Sequence, residues 1–319
     1  MNLEHYKEHY DFYDQISVAI IADSRDARRD GKRITTFLIQ APQTVLSHLV
    51  RHRVFSFSVS SKRALSAKRM STSTNFMPKF RTAHVRGMQP AEFITDEGAL
   101  EALEFHWWRA KEFIEDFLDS DYAYYNVAKE IMNQLTVPWQ IINILVTATD
   151  FENFFNLRIH PDTQLETQVV AYKMRQLLQT NTPQYLTKDQ WHIPFYTSDM
   201  AALDTWEKLA VSAARCARTS YQLPDKNINS TVESDLELCK KLLTFPFHAS
   251  PFEHQAIPAT MADLYPDIPK EYYSTIKSNY HANFTNWVQL RKLIEISEHN
   301  FEYLQDSRKV AEEFRREII

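Results

Sequence analysis

Three consecutive residues, Arg51, His52 and Arg53, offer the clearest chemistry in this sequence, and Ser61 and Arg63 follow them closely. Planar guanidinium and imidazole groups can together bind phosphate oxygens and a flat heteroaromatic ring. The hydroxyl of Ser61 and the guanidinium of Arg63 could then hold a second phosphate. Taken alone, such a triplet is also typical of the end of a surface helix, so the residues themselves leave both interpretations open.

Positive charge is concentrated around this triplet. The 319-residue chain has a formal net charge of −5, yet residues 31–91 contain eleven Lys or Arg and no Asp or Glu. A solvated face usually mixes both signs, so this segment indicates an anion-binding region. A nucleic-acid binder would be basic overall, whereas the acidic remainder of this chain would repel a long polyanion. A small phosphorylated ligand therefore fits the charge pattern better than a nucleic acid.

Glycine and cysteine usage excludes several kinds of site. The chain has three isolated glycines, Gly31, Gly87 and Gly98, which cannot build a dinucleotide-binding fingerprint or a glycine-rich phosphate loop. Cys216 and Cys239 are too few for a disulfide framework or a cysteine metal site, and neither has the sequence context of an activated thiol. We expect both to be buried as small apolar side chains in a reducing environment.

The length and bulk composition indicate a globular protein with one large domain or two intimately packed ones. A hydrophobic fraction of 44% and a charged fraction of 24% are ordinary for globular proteins. The apolar runs are too short and too interrupted for a transmembrane helix, and the first ten residues carry charges where a secretion signal would be apolar. We therefore expect a cytoplasmic protein that does not enter a membrane.

The elements that must position the site follow from hydrophobic periodicity. β-branched and aromatic residues predict a strand over 34–40, and apolar spacing predicts a helix over 43–53. The Ser- and Thr-rich run 56–75 predicts an ordered loop that lines the site. Residues 139–157 are apolar with embedded polar groups, which predicts a buried helix forming a second wall. Further helices are predicted over 99–118, 122–134, 163–180, 203–219, 231–245 and most of 270–317, with Trp107, Trp108, Phe113, Phe117, Phe154 and Phe155 in the core.

Several short segments occur together in this chain. The triplet and Ser61 follow the pattern Arg-His-Arg-x7-Ser, and residues 153–158 read Asn-Phe-Phe-Asn-Leu-Arg. The accompanying segments are 35–42, 160–166, 214–221 with its Ala-Arg start, and 250–254, which reads Ser-Pro-Phe-Glu-His. This combination resembles the flavin-dependent thymidylate synthases. In the common form of that family the last two segments precede the Arg-His-Arg signature, so the order here resembles that of the longer bacterial and phage-type members.

The resemblance implies an α/β (α+β) fold with a central, mostly antiparallel sheet flanked by long helices. It implies a single domain over 1–319, in which 31–180 carry the Arg-His-Arg and Asn-Leu-Arg motifs and 200–295 carry the other two. A homotetramer with sites at the subunit interfaces is also implied. The implied reaction is FAD-dependent transfer of a one-carbon unit from 5,10-methylenetetrahydrofolate to C5 of dUMP, giving dTMP with NADPH as the reductant.

The resemblance also assigns roles to individual residues. The residues that it implies for FAD are Arg51, His52, Arg53, Thr147, Thr149, Asn153 and His254. Those that it implies for dUMP are Ser61, Lys62, Arg63, Gln134 and Arg158. Arg158 would be the catalytic residue, because a guanidinium at the uracil stabilises the charge that develops on N3 or O4. In this chemistry the flavin carries the methylene and the hydride, so the protein supplies orientation and electrostatics.

Some residues depart from the pattern of the family. The replaced positions are Ser58, Val59, Gln134, Thr147 and Thr149. Each change removes a donor or a charge, which is worth about 1–3 kcal/mol of binding. Transfer of a hydroxymethyl group, action on dCMP, and a flavin- or nucleotide-binding protein without turnover are therefore open alternatives. The retained Arg158 favours an active enzyme.

A metal-dependent hydrolase is a further alternative. His160, Asp162, Glu253 and His254 have ligand side chains, but the sequence contains no His-Glu-x-x-His motif or comparable spacing. We expect no metal, and we expect His160 to lie at the surface near a helix end.

Overall fold

The computed structural model describes residues 13–60, 75–82, 92–125, 127–220, 230–244, 246–264, 267, 269–272 and 280–296. Its strands are β1 (Ser17–Asp26), β2 (Arg33–Pro42), β3 (Ser56–Val59), β4 (Ile141–Ala148), β5 (Gln184–Leu186), β6 (Ala256–Pro258) and β7 (Trp287–Gln289). Its α-helices are α1 (Gln43–Leu49), α2 (Glu97–Tyr125), α3 (Lys129–Leu135), α4 (Glu152–Arg158), α5 (Leu165–Thr180), α6 (Thr205–Ala217), α7 (Val232–Leu243), α8 (Met261–Leu264) and α9 (Leu290–Ile296). Short 3-10 helices cover Val137–Trp139, Ser198–Met200, Arg218–Ser220, Ser250–Glu253 and Lys270–Tyr272.

A five-stranded sheet in the order β3-β4-β2-β1-β5 lies at the centre of the described chain. The pairs β1–β2, β2–β4 and β3–β4 are antiparallel, whereas β5 joins β1 in parallel. Strands β6 and β7 form a separate antiparallel pair. The expected α/β fold with a mostly antiparallel sheet is therefore confirmed, and α2 with its 29 residues is the longest of the described helices.

One face of the sheet is apolar. Phe37 of β2 and the β4 residues Ile144 and Val146 are 0% exposed, and they share one cluster with Phe154 of α4 and Val169 of α5. Successive residues of a strand point to opposite faces, so every second residue of β2 and β4 contributes to this cluster. The apolar face therefore holds α4 and α5 against the sheet.

The opposite face packs against the C-terminal half of the chain. Leu38 of β2 and Leu145 of β4 share a cluster with Phe195 and with Cys216 of α6. The polar residues of the same face are engaged with histidines from the C-terminal half. The sheet is therefore covered on both faces within the described chain.

The prediction of a helix over 139–157 is wrong for its first part. Residues Ile141–Ala148 form strand β4, and helix begins only at Glu152. Because β4 is buried on both faces, its sequence is a continuous apolar run, and periodicity cannot distinguish such a strand from a buried helix. The polar groups of this segment were predicted to need internal partners, and the hydroxyl of Thr147 is hydrogen-bonded to His254 and to Thr36.

Other predicted elements need smaller corrections. Residues Ser56–Val59 form the edge strand β3 rather than a loop, and 61–74 lie outside the described residues. Helix α1 ends at Leu49, whereas the predicted helix extended to residue 53. A single helix over 97–125 includes the predicted helix 99–118 and the first residues of the predicted helix 122–134. The helices predicted over 163–180, 203–219 and 231–245 are confirmed as α5, α6 and α7.

The aromatic residues of α2 do not form core as expected. Phe113 is 77% exposed and Phe117 is 38% exposed. Trp107 is half-buried, and its indole Nε1 donates to the Phe76 carbonyl at 3.0 Å. Leu118 of α2 is 6% exposed and packs against Met132 of α3, whereas Phe113 and Phe117 lie on a face that the described chain does not cover. No helix in the described ranges is long and apolar enough to cross a membrane.

Arg215 of α6 fixes the C-terminal helices to one another. Its side chain is 1% exposed and donates from Nε to Asp235 of α7 at 2.9 Å, while Arg218 donates to the other oxygen of the same carboxylate at 2.9 Å. Such a buried carboxylate is stable only while its cations remain, and removal of one partner typically costs about 3–5 kcal/mol. The Ala-Arg segment therefore has a structural role in this chain.

Both cysteines are buried and unpaired with each other. Cys216 and Cys239 are 0% exposed, and both are free thiols. Burial raises the pKa of Cys239 to about 12 and raises the pKa of Cys216 as well. The expectation of small buried side chains without nucleophilic activation is confirmed.

Substitution of Gly31 tests the tight connection between β1 and β2. A Cβ at this position would lie 2.1 Å from the Asp26 carbonyl oxygen, so Gly31→Ala requires the backbone to move. We expect a loss of about 1–3 kcal/mol in the free energy of unfolding, measured by urea denaturation. Gly98→Ala is the matched control, because its new methyl meets only Asp96 Oδ1 at 3.6 Å. Equal stability of the two variants would contradict the packing described here.

Candidate functional site

The Arg-His-Arg triplet lies in a tight connection between α1 and β3. His52 N donates to the Leu49 carbonyl and Phe55 N donates to the His52 carbonyl, each at 3.0 Å. These turns direct the three side chains differently: Arg51 and Arg53 are exposed, whereas His52 is 7% exposed. The triplet therefore presents two cations to solvent around one buried imidazole.

His52 is held by aromatic rings and by Arg158. Its ring stacks on Phe55 at 5.6 Å between centroids and meets Phe154 edge-on at 5.0 Å. Arg158, the last residue of α4, donates from Nε to His52 Nε2 at 3.1 Å. Burial and the charge of Arg158 lower the pKa of His52, so the imidazole is neutral and accepts this bond. The histidine thus orients the guanidinium from one side.

The positive charges of Arg51, Arg53 and Arg158 have no carboxylate partner within the described chain. Burial and the neighbouring Arg51 lower the pKa of Arg158. None of the carboxylates that the structure describes forms an ion pair with Arg51, Arg53 or Arg158. A cation cluster of this kind attracts an anion, since a bound phosphate or anionic base would restore the electrostatic balance.

His48 belongs to the same cluster, although it was not predicted as a site residue from the sequence. Burial, then Arg158 and Arg51, lower the pKa of its imidazole. Its Nδ1 is buried and has no hydrogen-bond partner among the described residues. His48 is in the last turn of α1, three residues before Arg51, and this nearness to the triplet in sequence was the available signal. A ligand acceptor or donor at the cluster would satisfy the unpaired nitrogen.

Thr147 and His254 lie on the other face of the sheet. Both are 0% exposed, and His254 Nδ1 is hydrogen-bonded to the Thr147 hydroxyl at 2.8 Å. His254 Nε2 is 2.9 Å from Ser58 Oγ, and Thr147 Oγ1 is 2.7 Å from Thr36 Oγ1. Their polar atoms are fully engaged, so these two residues offer no surface to a ligand in this conformation.

The remaining expected site residues are dispersed. Thr149 Oγ1 accepts from the backbone N–H of Thr285 at 2.9 Å. Asn153 is exposed on α4, and Gln134 is exposed on α3. Ser61, Lys62 and Arg63 lie outside the described residues. The structure thus brings together Arg51, His52 and Arg158, and it separates them from the pair formed by Thr147 and His254.

The residues fit FAD only in part. The uncompensated guanidiniums of Arg51, Arg53 and Arg158, and the unpaired nitrogen of His48, suit a ligand that carries phosphates and a flat ring. The hydroxyl of Thr147 and the imidazole of His254 do not suit such a ligand, because their polar atoms already form hydrogen bonds within the protein. Among the expected site residues that the structure describes, those of the cation cluster could therefore hold the cofactor or the nucleotide.

The described residues contain no group of three or more His, Cys, Asp or Glu that could hold a metal ion. Glu253 forms an ion pair with Arg291, and both nitrogens of His254 are bonded to hydroxyls. His160 is half-buried, with its Nδ1 3.6 Å from Asp162.

Acidification tests the buried imidazoles of His192 and His254. Burial lowers the pKa of each to about 3, whereas in the unfolded chain it is about 6.5. The unfolded state therefore binds more protons below pH 6.5, so stability is complete above that pH and falls towards pH 3. The expected loss is about 1.4 kcal/mol per histidine for each pH unit.

This loss is measured as the free energy of unfolding in urea between pH 7.5 and 5. The variant His254→Gln should show a slope smaller by about 1.4 kcal/mol per pH unit. Thr167→Val, which changes a buried side chain without a titratable group, is the control and should keep the wild-type slope. Identical slopes in wild type and His254→Gln would contradict the neutral, buried imidazole.

Comparisons with known proteins give one family match and remote structural likenesses. Residues 34–184 match the family model described as thymidylate synthase complementing protein. No curated protein sequence matches the chain. A UMP/dUMP methylase PolB from Streptomyces cacaoi, bound with 5-Br UMP, is 19% identical over 51% of this chain and 88% of its own, with a TM-score of 0.41.

Two further solved structures are similar at the same level. The same methylase bound with 5-Br dUMP is 20% identical over 46% of this chain and 66% of its own, with a TM-score of 0.36. The flavin-dependent thymidylate synthase ThyX from Helicobacter pylori, complexed with FAD and dUMP, is 18% identical over 44% and 66%, with a TM-score of 0.30. Similarities this remote carry no argument about the chemistry of this chain.

The family match contains the elements that form the cation cluster. It spans α1, the Arg-His-Arg triplet, β4 and α4 with Arg158. The resemblance found in the motifs is thereby confirmed over residues 34–184, which match the family model of the thymidylate synthase complementing protein.

Proposed function

We propose that this chain is a flavin-dependent enzyme that transfers a one-carbon unit to C5 of dUMP and produces dTMP. The observation that carries the proposal is the cation cluster: Arg51 and Arg158 lie without carboxylate partners around the neutral imidazole of His52, inside the segment that matches the family. FAD, when bound, supplies the carrier for the methylene and the hydride, with 5,10-methylenetetrahydrofolate as the carbon donor and NADPH as the reductant.

Arg158 is the residue to which we assign the catalytic role. A C5 substitution on uracil places negative charge on O4 and N3, and a fixed guanidinium stabilises that charge more in the transition state than in the ground state. His52 accepts from Nε of Arg158, which leaves the terminal nitrogens free to donate to the base. The partial burial of Arg158 strengthens such an interaction, because water competes less for the guanidinium.

Phosphate binding is the role that we propose for Arg51 and Arg53. Both are exposed at the end of α1, where they can reach a ligand without rearrangement of the core. Arg158 and Arg51 lower the pKa of the nearby His48 imidazole, whose buried Nδ1 has no partner among the described residues and adds a neutral hydrogen-bonding group to the site. Ser61, Lys62 and Arg63 would extend this surface, and their contribution stays a prediction.

A homo-oligomer would supply the missing cover for α2. Phe105, Phe113 and Phe117 are 62%, 77% and 38% exposed along this helix. Such a row of exposed aromatic side chains typically marks a contact with another protein surface. This supports the proposal of a homotetramer, in which a neighbouring subunit could also complete the site.

Replacement of Arg158 tests the catalytic assignment. Arg158→Ala should lower kcat about 100- to 1,000-fold while flavin stays bound, because the charge stabilisation is lost but the exposed cations remain. Turnover is measured by product formation, and flavin occupancy by its visible absorption. Arg109→Ala is the matched control, since Arg109 pairs with Glu112 on the surface of α2. An unaltered rate, or loss of flavin from Arg158→Ala, would contradict the assignment.

Replacement of the triplet tests the cofactor assignment. Arg53→Ala removes an exposed cation, and His52→Ala removes the buried ring that packs on Phe55 and fixes the turn between Arg51 and Arg53. We expect each to weaken FAD retention about tenfold, which corresponds to about 1.4 kcal/mol of lost binding. FAD affinity is measured by fluorescence titration of the apoprotein. Full flavin loading of both variants would assign the triplet to another ligand.

The reaction itself is tested by anaerobic incubation of the purified protein with FAD, NADPH, 5,10-methylenetetrahydrofolate and either dUMP or dCMP. Nucleotide products are identified by mass spectrometry. A methyl increment on dUMP is the expected result. A hydroxymethyl increment, or a product from dCMP alone, would assign the chain to a modified-base pathway. Bound flavin without any product would overturn the proposal of an enzyme acting on these substrates.

A further inference from the structure

A continuous chain of side-chain hydrogen bonds crosses four strands of the sheet. It is called here the Ser24–Ser58 relay, and its members in order are Ser24, His192, Thr36, Thr147, His254 and Ser58. The five successive contacts are 2.9, 2.9, 2.7, 2.8 and 2.9 Å long. The four hydroxyl residues lie on β1, β2, β4 and β3, and the two imidazoles come from the C-terminal half.

The relay is closed to other partners. All six side chains are at most 7% exposed, and within the described chain their side-chain atoms have no hydrogen bonds outside the relay. His192 and His254 are neutral, because burial lowers the pKa of each to about 3. A neutral imidazole has one N–H and one bare nitrogen, and a hydroxyl has one proton to donate.

The number of protons restricts the arrangement. Six groups offer one proton each, and five hydrogen bonds join them, so one proton is left over. Thr36 and Thr147 are 0% exposed, and each has two partners in the relay. A surplus proton on either threonine would be a buried O–H without an acceptor, so each threonine donates to one partner and accepts from the other. The bond between the two threonines therefore determines which nitrogen of each histidine carries a proton.

Four arrangements satisfy every bond, one for each hydroxyl that can hold the surplus proton. Two of them keep this proton off Thr36 and Thr147 and leave it on a serine at an end of the relay, where the side chain is 3% or 7% exposed. If Thr36 donates to Thr147, both histidines carry their proton on Nε2, and the surplus O–H is that of Ser58. If Thr147 donates to Thr36, both carry it on Nδ1, and the surplus O–H is that of Ser24. Interconversion rotates the hydroxyls and moves one proton between the two nitrogens of each ring, and the total number of protons does not change.

We propose that the Ser24–Ser58 relay behaves as one unit, in which His192 and His254 always share the same tautomer. Ser24 and His192 are then positioning residues that act through Thr36 and Thr147 on His254 and Ser58. The state of the relay decides whether the Ser58 hydroxyl, on the edge strand β3, offers a proton or accepts one. This inference is independent of the proposed reaction.

Nitrogen NMR of the full chain labelled with [15N]histidine measures the tautomers directly, through two-bond couplings between the ring nitrogens and protons. Signals of His192 and His254 are assigned by substitution of each in turn. At pH 7 the wild-type chain should show both rings neutral and in the same tautomer. Opposite tautomers in the two rings, or a protonated imidazolium at either position, would overturn the proposal.

Removal of either end of the relay should move both histidines together. In Ser58→Ala, an Nε2–H on His254 would lack an acceptor, so both rings should carry the proton on Nδ1. In Ser24→Ala, an Nδ1–H on His192 would lack an acceptor, so both should carry it on Nε2. The remaining surplus hydroxyl can rotate, whereas a ring N–H cannot. A response confined to the adjacent histidine in each variant would contradict the coupling.

Interruption of the relay at its centre provides the control. In a Thr147→Val background, Ser58→Ala should no longer change the tautomer of His192. In a Thr167→Val background the long-range response should persist, because Thr167 is also 0% exposed but lies on α5, outside the relay. A response of His192 that survives Thr147→Val would show that the effect does not pass through the hydroxyl chain, and would overturn the proposal.

Discussion

Burial of the central sheet on both faces is the constraint on which this structure depends. Strands β2 and β4 have apolar residues on one face and a mixture of apolar and hydroxyl residues on the other. A hydroxyl taken out of water costs free energy unless it finds a partner. Thr36 and Thr147 find theirs in each other and in His192 and His254, so the C-terminal half must supply imidazoles at these positions.

The two faces have different consequences for function. The apolar face holds α4 rigidly through Phe154, and this places Arg158 at the end of α4 beside His52. The cations therefore stand at the rim of a well-packed core, which keeps them in place without carboxylate partners. The polar face contains Thr147 and His254, which the family resemblance associates with the cofactor. In this chain they face inward, whereas the exposed cations Arg51 and Arg53 present a surface for a ligand.

Much of the fold was predictable from the sequence, because amphipathic periods mark α5, α6 and α7, and a β-branched run marks β2. The strand β4 was not, since its two buried faces produce an apolar run that resembles a helix. The exposure of Phe113 and Phe117 was not predictable either, because spacing indicates an apolar face but does not say whether the same chain covers it.

Site residues were predictable from the sequence only where they belong to a recognisable motif. Arg51, His52 and Arg158 come from recognisable segments, and the structure brings them together. His192 has no motif, and its partners Ser24 and Thr36 are 168 and 156 residues away in sequence. His48 stands near the triplet in sequence, but its unpaired nitrogen depends on the packing of α1. Contacts of this kind need the tertiary structure.

A crystal structure of the flavin-loaded protein with dUMP bound would test the central claim most directly, since it locates the ligand relative to the cation cluster. The account predicts that the Arg158 guanidinium lies within about 3 Å of uracil O4 or N3. It also predicts that Arg51 or Arg53 contacts a phosphate. A nucleotide bound away from these residues, with Arg158 still directed only at His52, would contradict it.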